Sequence, residues 1–225
     1  VYKRQVLKAN NPLSPDIERA AYGSKPTDGG NLIVEPEDYA EVMADPIAAK
    51  YVKPFRMGRE LVRGLDRWCL WLDGATPSDI TNSPILRHRT EAVRKFRSES
   101  KAASTREYAR FPHLFRQIGQ PSTRFVAVPK VVSSSRLYYT VDYLSNDIIV
   151  GDKIFAVPDA NGLQFALLSS SMFITWQKTV GGRLKSDVSF GSPLTWHTFP
   201  VPKLEEKTRE RIIKAGQKVL DARAL

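Results

Sequence analysis

Between Pro84 and Pro112 the chain runs without a glycine or a further proline. That uninterrupted stretch narrows the fold more than any other feature. Ser83 stands where a side-chain hydroxyl can cap a helix, and Pro84 suits the first helical turn. The spacing therefore predicts a helix over 83–111. Arg87, Arg94, Arg97 and Lys101 recur along it at helical intervals. Arg89, Lys95, Arg106 and Arg110 add to them, against only Glu91, Glu99 and Glu107. Such a stripe suits a phosphate backbone, where each contact displaces counterions. A solvated helix face is the competing reading.

Beyond Pro112 the texture changes. TRFVAVPKVV, LYYTVDYL, DIIV and KIFAVP are rich in β-branched and aromatic residues, divided by Ser, Asn and Gly. They read as strands, with Pro129 and Pro158 at strand ends. Trp68–Leu72 reads as a buried strand of its own. Leu163, Leu167, Phe173 and Trp176 give a helical period that Gly181-Gly182 should end. A charged helix is expected from Glu205 to Leu225. The expected class is α+β: a twisted, partly antiparallel sheet flanked by helices, with a C-terminal helix. Residues up to about Pro36 are polar and rich in turn formers, so they read as a connecting segment.

Thirty-four Lys and Arg face 24 Asp and Glu, a net charge of +10. That balance favours a polyanionic partner: DNA, RNA or an anionic membrane. No apolar run is long enough to span a bilayer, and no secretory signal opens the chain. The single cysteine, Cys69, excludes an internal disulfide and a multi-cysteine zinc site, and it fits a reducing cytoplasm. VYKRQVLKANNPLSPDIERA reads as the middle of a longer protein.

Two loops carry the candidate chemistry. In GGRLKSD (Gly181–Asp187), glycines and a Lys-Ser pair suggest a phosphate cradle. A P-loop, however, needs a glycine directly before the lysine, and a strand before the loop. As a basic loop against nucleic acid the stretch makes better sense. Arg183 and Lys185 can neutralise phosphates or reach guanine edges, while Ser186 and Asp187 can donate or accept in a groove. A helix cap followed by a solvated turn is the plainer alternative. In VVSSSRLYY (Val131–Tyr139), Ser133, Ser134, Ser135 and Arg136 form a polar hairpin tip between two strands. Arg136 could read a guanine, and an ordinary turn is again the alternative.

No complete catalytic constellation is legible. His88, His113 and His197 lack metal-ligand spacing to one another and have no sequence link to Cys69. Asn11-Pro12-Leu13-Ser14 is similar to the Asn-Pro-Pro-aromatic motif of amino-methyltransferases. It lacks the second proline and the aromatic, and no glycine-rich S-adenosylmethionine loop precedes it, so it reads as a turn.

Several motifs together resemble one family. They are YGSKPTDGGNLIV (Tyr22–Val34), RELVRGLDRWCLWL (Arg59–Leu72), FVAVPKVVSSSRLYY (Phe125–Tyr139), TWQKTVGGRLKSDVSF (Thr175–Phe190) and LTWHTFPVPKL. In that order they are similar to the target recognition domain of MmeI-like DNA adenine methyltransferases and fused restriction-modification enzymes. That domain is in turn similar to the specificity-subunit domains of type I restriction systems. His197-Thr198 departs from the asparagine usual before Phe-Pro-x-Pro.

The resemblance implies a division into three. Residues 1–40 connect from an upstream methyltransferase domain, 41–203 form the target recognition domain, and 204–225 begin a C-terminal helical segment. It implies double-stranded DNA and that upstream domain as partners, no membrane, and a bacterial cytoplasmic setting. The complete protein would use S-adenosylmethionine to methylate adenine N6, with Mg2+ if a nuclease is fused. This segment would hold no catalytic, cofactor or metal site. Its DNA-binding residues would be Ser133–Arg136, Arg183, Lys185, Ser186 and Asp187, together with Arg87, Arg94, Arg97 and Lys101. The alternatives are a stand-alone nucleic-acid-modifying enzyme, or a protein-interaction module using Ile212, Ile213, Ala215 and Val219 of the last helix.

Overall fold

A computed structural model describes residues 6–224. The first five residues of the expected connecting segment, and Leu225 of the expected closing helix, lie outside the described residues. In chain order the elements are β1 (Ala21–Tyr22), β2 (Ile33–Val34), α1 (Tyr39–Ala44), β3 (Val52–Arg56), α2 (Gly58–Arg63), β4 (Trp68–Leu70), α3 (Pro77–Asn82), α4 (Pro84–Ser98) and α5 (Ala103–Glu107). Then follow β5 (Phe125–Pro129), β6 (Val131–Val132), β7 (Asp142–Leu144), β8 (Ile149–Val150), β9 (Ile154–Pro158), α6 (Leu163–Leu168), α7 (Ser171–Val180), β10 (Gly182–Leu184), β11 (Asp187–Ser189) and α8 (Glu206–Arg223).

The mixed class, the antiparallel pairing and the C-terminal helix agree with the sequence expectation. Among the described residues the strands divide among three small sheets. The chain also divides into two compact units that interleave along it.

One unit comprises Gly23–Gln120 and Asp147–Asp152. Its sheet has the order β2-β4-β3-β8, antiparallel except for the β3–β8 edge. Cys69 and Leu70 of β4 are fully buried, as the apolar run predicts, and burial pushes the Cys69 thiol up. Helix α4 packs on this core through Leu86, Thr90, Val93 and Arg97, spaced 4, 3 and 4 apart on one face. Ser83 does cap it, accepting the Leu86 N–H at 3.0 Å, with Pro84 in the first turn.

The predicted long helix stops at Ser98, and a short α5 resumes at Ala103. Arg97 supplies the reason. It is fully buried, and its guanidinium donates to the carbonyls of Pro26 (2.8 Å), Thr27 (2.9 Å), Tyr108 (3.5 Å), Phe111 (2.7 Å) and Leu114 (2.7 Å). A continuous helix would carry residue 111 about 21 Å along the axis from residue 97. The chain has to turn back to bring those carbonyls to the buried cation.

The other unit comprises the described residues up to Tyr22, Pro121–Asn146 and the chain from Lys153 onward. It holds an antiparallel sheet of order β1-β9-β5-β7 and a second of order β10-β11-β6. Val126, Val128, Phe155, Phe165, Phe173 and Trp196 lie in its core. The expected helix after Gly162 breaks into α6 and α7 at Ser169-Ser170. The Ser170 hydroxyl donates to the Leu167 carbonyl at 2.6 Å and accepts the Phe173 N–H at 3.1 Å, so it ends one helix and caps the next.

Helix α8 lies on α6. A Cβ on Gly216 would stand 2.7 Å from the Ala166 side chain, so the two backbones meet where only glycine fits. Ile212 and Ile213 pack inward, whereas Ala215 and Val219 stay exposed.

The early residues do more than connect. The Ala9 N–H donates to the Pro193 carbonyl and the Leu13 N–H to the His197 carbonyl, both at 2.8 Å. Buried Asp16 accepts from the Leu204 N–H at 2.9 Å and pairs with Arg209 of α8. Ile17 and Ala20 enter the core, and β1 completes an edge of the first sheet.

Candidate nucleic-acid interface

GGRLKSD is an antiparallel hairpin. Gly182 pairs with Ser189, Arg183 with Val188 and Leu184 with Asp187, leaving Lys185-Ser186 as a two-residue loop. Lys185 takes φ +55°, the left-handed conformation such loops require at a central position. The Arg183 guanidinium donates across the loop to the Ser186 carbonyl at 3.2 Å. The sequence suggested a capped helix followed by a loop. The helix does end there, at Val180, but the chain continues at once into β10. Gln177 of α7 donates to the Ser189 carbonyl at 2.9 Å, tying helix to hairpin.

SSSR is arranged differently from its expected form. It does not join two strands that pair with each other. Instead β6, which leads into it, pairs with β11, placing Val188 opposite Val132 and Ser189 opposite Val131. The chain beyond dives inward at Tyr139, which is fully buried with its hydroxyl donating to the Pro129 carbonyl at 2.9 Å.

One sheet thus brings the two candidate loops together, although fifty residues separate them in sequence. Asp187 accepts the Ser134 backbone N–H at 3.3 Å. Ser133 and Ser135 hydroxyls sit 2.9 Å apart, and the Arg136 N–H donates to the Ser133 carbonyl at 3.1 Å. Lys178 of α7 donates to the Arg136 carbonyl at 2.9 Å. The Arg136, Arg183 and Lys185 side chains are exposed, as are Ser133, Ser135 and Ser186, while Ser134 and Asp187 are half-buried. The outcome is a cation-rich surface whose turns are tied together by local hydrogen bonds.

The α4 stripe is only partly available. Arg87 and Arg94 are exposed on α4, with Arg94 paired to Glu91 at 2.7 Å, while Lys101, also exposed, lies beyond the end of the helix, between α4 and α5. Arg97 does not belong to the stripe: it is buried and committed to the five carbonyls named above. Desolvation pushes its pKa down, with Asp28 and Tyr108 opposing. Arg89 is similarly spent, on the Asn31 and Ile33 carbonyls and on Asp38 at 2.9 Å. Helical spacing alone could not separate inward from outward arginines, because Arg97 continues the Leu86–Val93 face.

Among the described residues no cluster of three or more His, Cys, Asp or Glu is arranged to hold a metal. His197 is buried; its Nδ1 lies 2.9 Å from the Ala9 carbonyl, and Nε2 has no hydrogen-bond partner among the described residues. Sequence reading passed over this contact, because nothing near His197 in the chain points to Ala9.

Residues 3–203 match the family described as MmeI, target recognition domain. DNA methyltransferase A of Bacillus subtilis (strain 168) is 31% identical over 219 residues, covering 97% of this chain and 25% of that protein. The structure of the type IIL restriction-modification enzyme MmeI in complex with DNA superposes with a TM-score of 0.94 at 34% identity, covering 99% of this chain and 30% of that one. The chain therefore spans between a quarter and a third of the length of these relatives. With a family match over most of its length and a fold shared at this level, the chain belongs to the MmeI target recognition domain family.

Proposed function

We propose that this domain reads the base sequence of double-stranded DNA within a longer S-adenosylmethionine-dependent adenine-N6 methyltransferase. The observation that carries the reading is the β6–β11 pairing. It sets the Ser133–Arg136 turn beside the Arg183–Asp187 hairpin, so two short tips present one surface. A two-stranded ribbon fits the major groove, where every base pair shows a distinct donor and acceptor pattern. Arg136, Arg183 and Lys185 address guanine edges or phosphates, and Ser186 and Asp187 offer a hydroxyl and a carboxylate. Arg87, Arg94 and Lys101 bind phosphates without regard to sequence.

In the longer protein, residues 1–40 lead in from the methyltransferase domain and, from Ala9 onward, also pack into the recognition domain that 41–203 complete, and 204–225 open a helical segment. The cofactor belongs to that upstream domain, which extrudes the adenine while this one holds the duplex. Mg2+ enters only if a nuclease is fused. Among the described residues no helix is long and apolar enough to cross a membrane. A cytoplasmic location is part of the proposal.

The test is selection of this chain against a randomised duplex pool at two salt concentrations. Enrichment of one short motif containing an adenine, retained at the higher salt, supports the reading. Salt-sensitive binding without enrichment limits the domain to a backbone clamp. Absence of binding at low salt favours the protein-interaction alternative.

A further inference from the structure

We infer that Leu184 reads a thymine by packing on its C5-methyl group, adding an apolar contact to the polar readout proposed above and resting on that reading. Leu184 is 60% exposed, in a loop otherwise made of charged and polar residues. A single exposed leucine is ordinary. The position of this one is not. Leu184 pairs directly with Asp187 across the hairpin, so their side chains leave the same face of the ribbon. Asp187 in turn accepts the Ser134 N–H, so that face adjoins the Ser133–Arg136 turn. Leu184 therefore stands on the face of the ribbon that carries Asp187, opposite its strand neighbour Arg183.

Its backbone is held before any partner arrives. The Leu184–Asp187 pairing closes the loop, and the Arg183 guanidinium bridges to the Ser186 carbonyl at 3.2 Å. With the backbone fixed, only the leucine's own side-chain torsions remain to be ordered on binding. Arg183 and Lys185 flank Leu184 along the hairpin, and Arg136 lies in the adjoining turn, next to exposed Leu137 and Tyr138; these cations fit a polyanion, duplex DNA, as the occupant. Among the base-pair edges exposed in the major groove, the distinctive apolar group is the thymine methyl.

The experiment uses the motif selected from the randomised pool, with each thymine on either strand replaced singly by deoxyuridine, which lacks only the methyl. Equilibrium binding is measured for the unaltered chain, Leu184→Ala and Arg136→Ala, with folding of each checked by circular dichroism and thermal unfolding. The expected result is one replacement that weakens the unaltered chain about fourfold, the factor matching about 0.8 kcal/mol for one buried methyl-sized group. Leu184→Ala should lose that sensitivity and keep the others, while Arg136→Ala retains it. The inference is overturned if no thymine lies in the motif, if no replacement matters, or if the sensitivity persists in Leu184→Ala. A pool that yields no motif at all instead removes the sequence-reading function itself, and this contact with it.

Discussion

Asp187 accepts the backbone N–H of Ser134 at 3.3 Å, although the two residues lie on loops that are remote in sequence. The bond fixes the SSSR turn against the hairpin. Asp187 then has two possible tasks, holding the turn and accepting from a base. Asp187→Asn keeps an acceptor for Ser134, whereas Asp187→Ala does not. Asp187→Ala should cost about 1–3 kcal/mol of discrimination at the base pairs read by this surface. Its effect on stability should stay near about 1 kcal/mol, the usual worth of one such bond. Asp187→Asn should recover part of the discrimination. Competition binding against single-base variants of the selected motif measures both.

Arg97 and Arg94 lie three residues apart on one helix and should behave as opposites. Arg97→Leu leaves buried carbonyls without donors, each costing about 1–3 kcal/mol. Urea unfolding should show a loss above about 3 kcal/mol, or an unfolded Gly23–Gln120 unit. Arg94→Ala should change stability by less than about 0.5 kcal/mol. It should weaken binding to all sequences alike and lower the salt slope by about one.

Lys185 separates backbone cost from side-chain function. A lysine held at φ +55° carries a penalty of about 1 kcal/mol that glycine avoids. Lys185→Gly should therefore raise the melting temperature while weakening DNA binding. Lys185→Ala should weaken binding to the same degree with no gain in stability. A rise in affinity with Lys185→Gly would show that the loop conformation, not the ammonium, limits recognition.

His197 should make the domain sensitive to acid. Burial lowers its pKa below 6.5, outweighing the opposing hydrogen bond to Ala9. Protonation would place a second N–H at Nε2, a buried atom without a partner among the described residues. The unfolded chain binds that proton more readily than the folded one, so stability rises with pH across the window between the folded value and 6.5. It is fully present above pH 6.5 and lost as the pH falls through that window. His113, lowered first by burial and then by Arg97, adds in the same direction. Urea titrations from pH 5 to 8 should show this slope, and His197→Asn should flatten it to the share of His113.

Sequence alone determined the elements whose signals are local. Ser83-Pro84 marks a helix start because a hydroxyl reaches the third following N–H and proline needs no donor there. Phe125–Pro129 and Ile154–Pro158 read as strands because their residues suit a pleated, buried surface. The family motifs, the basic balance and both candidate loops were equally legible along the chain. Tertiary structure alone decided which distant groups meet. It turned the chain back after Ser98 to satisfy buried Arg97, drew Ile17 and Ala20 into a core, and paired β6 with β11 so that Asp187 reaches Ser134. The physical reason is one of range. Caps, turns and periodicity act within a few residues, whereas a buried guanidinium or a strand edge takes its partner from any part of the chain that satisfies it.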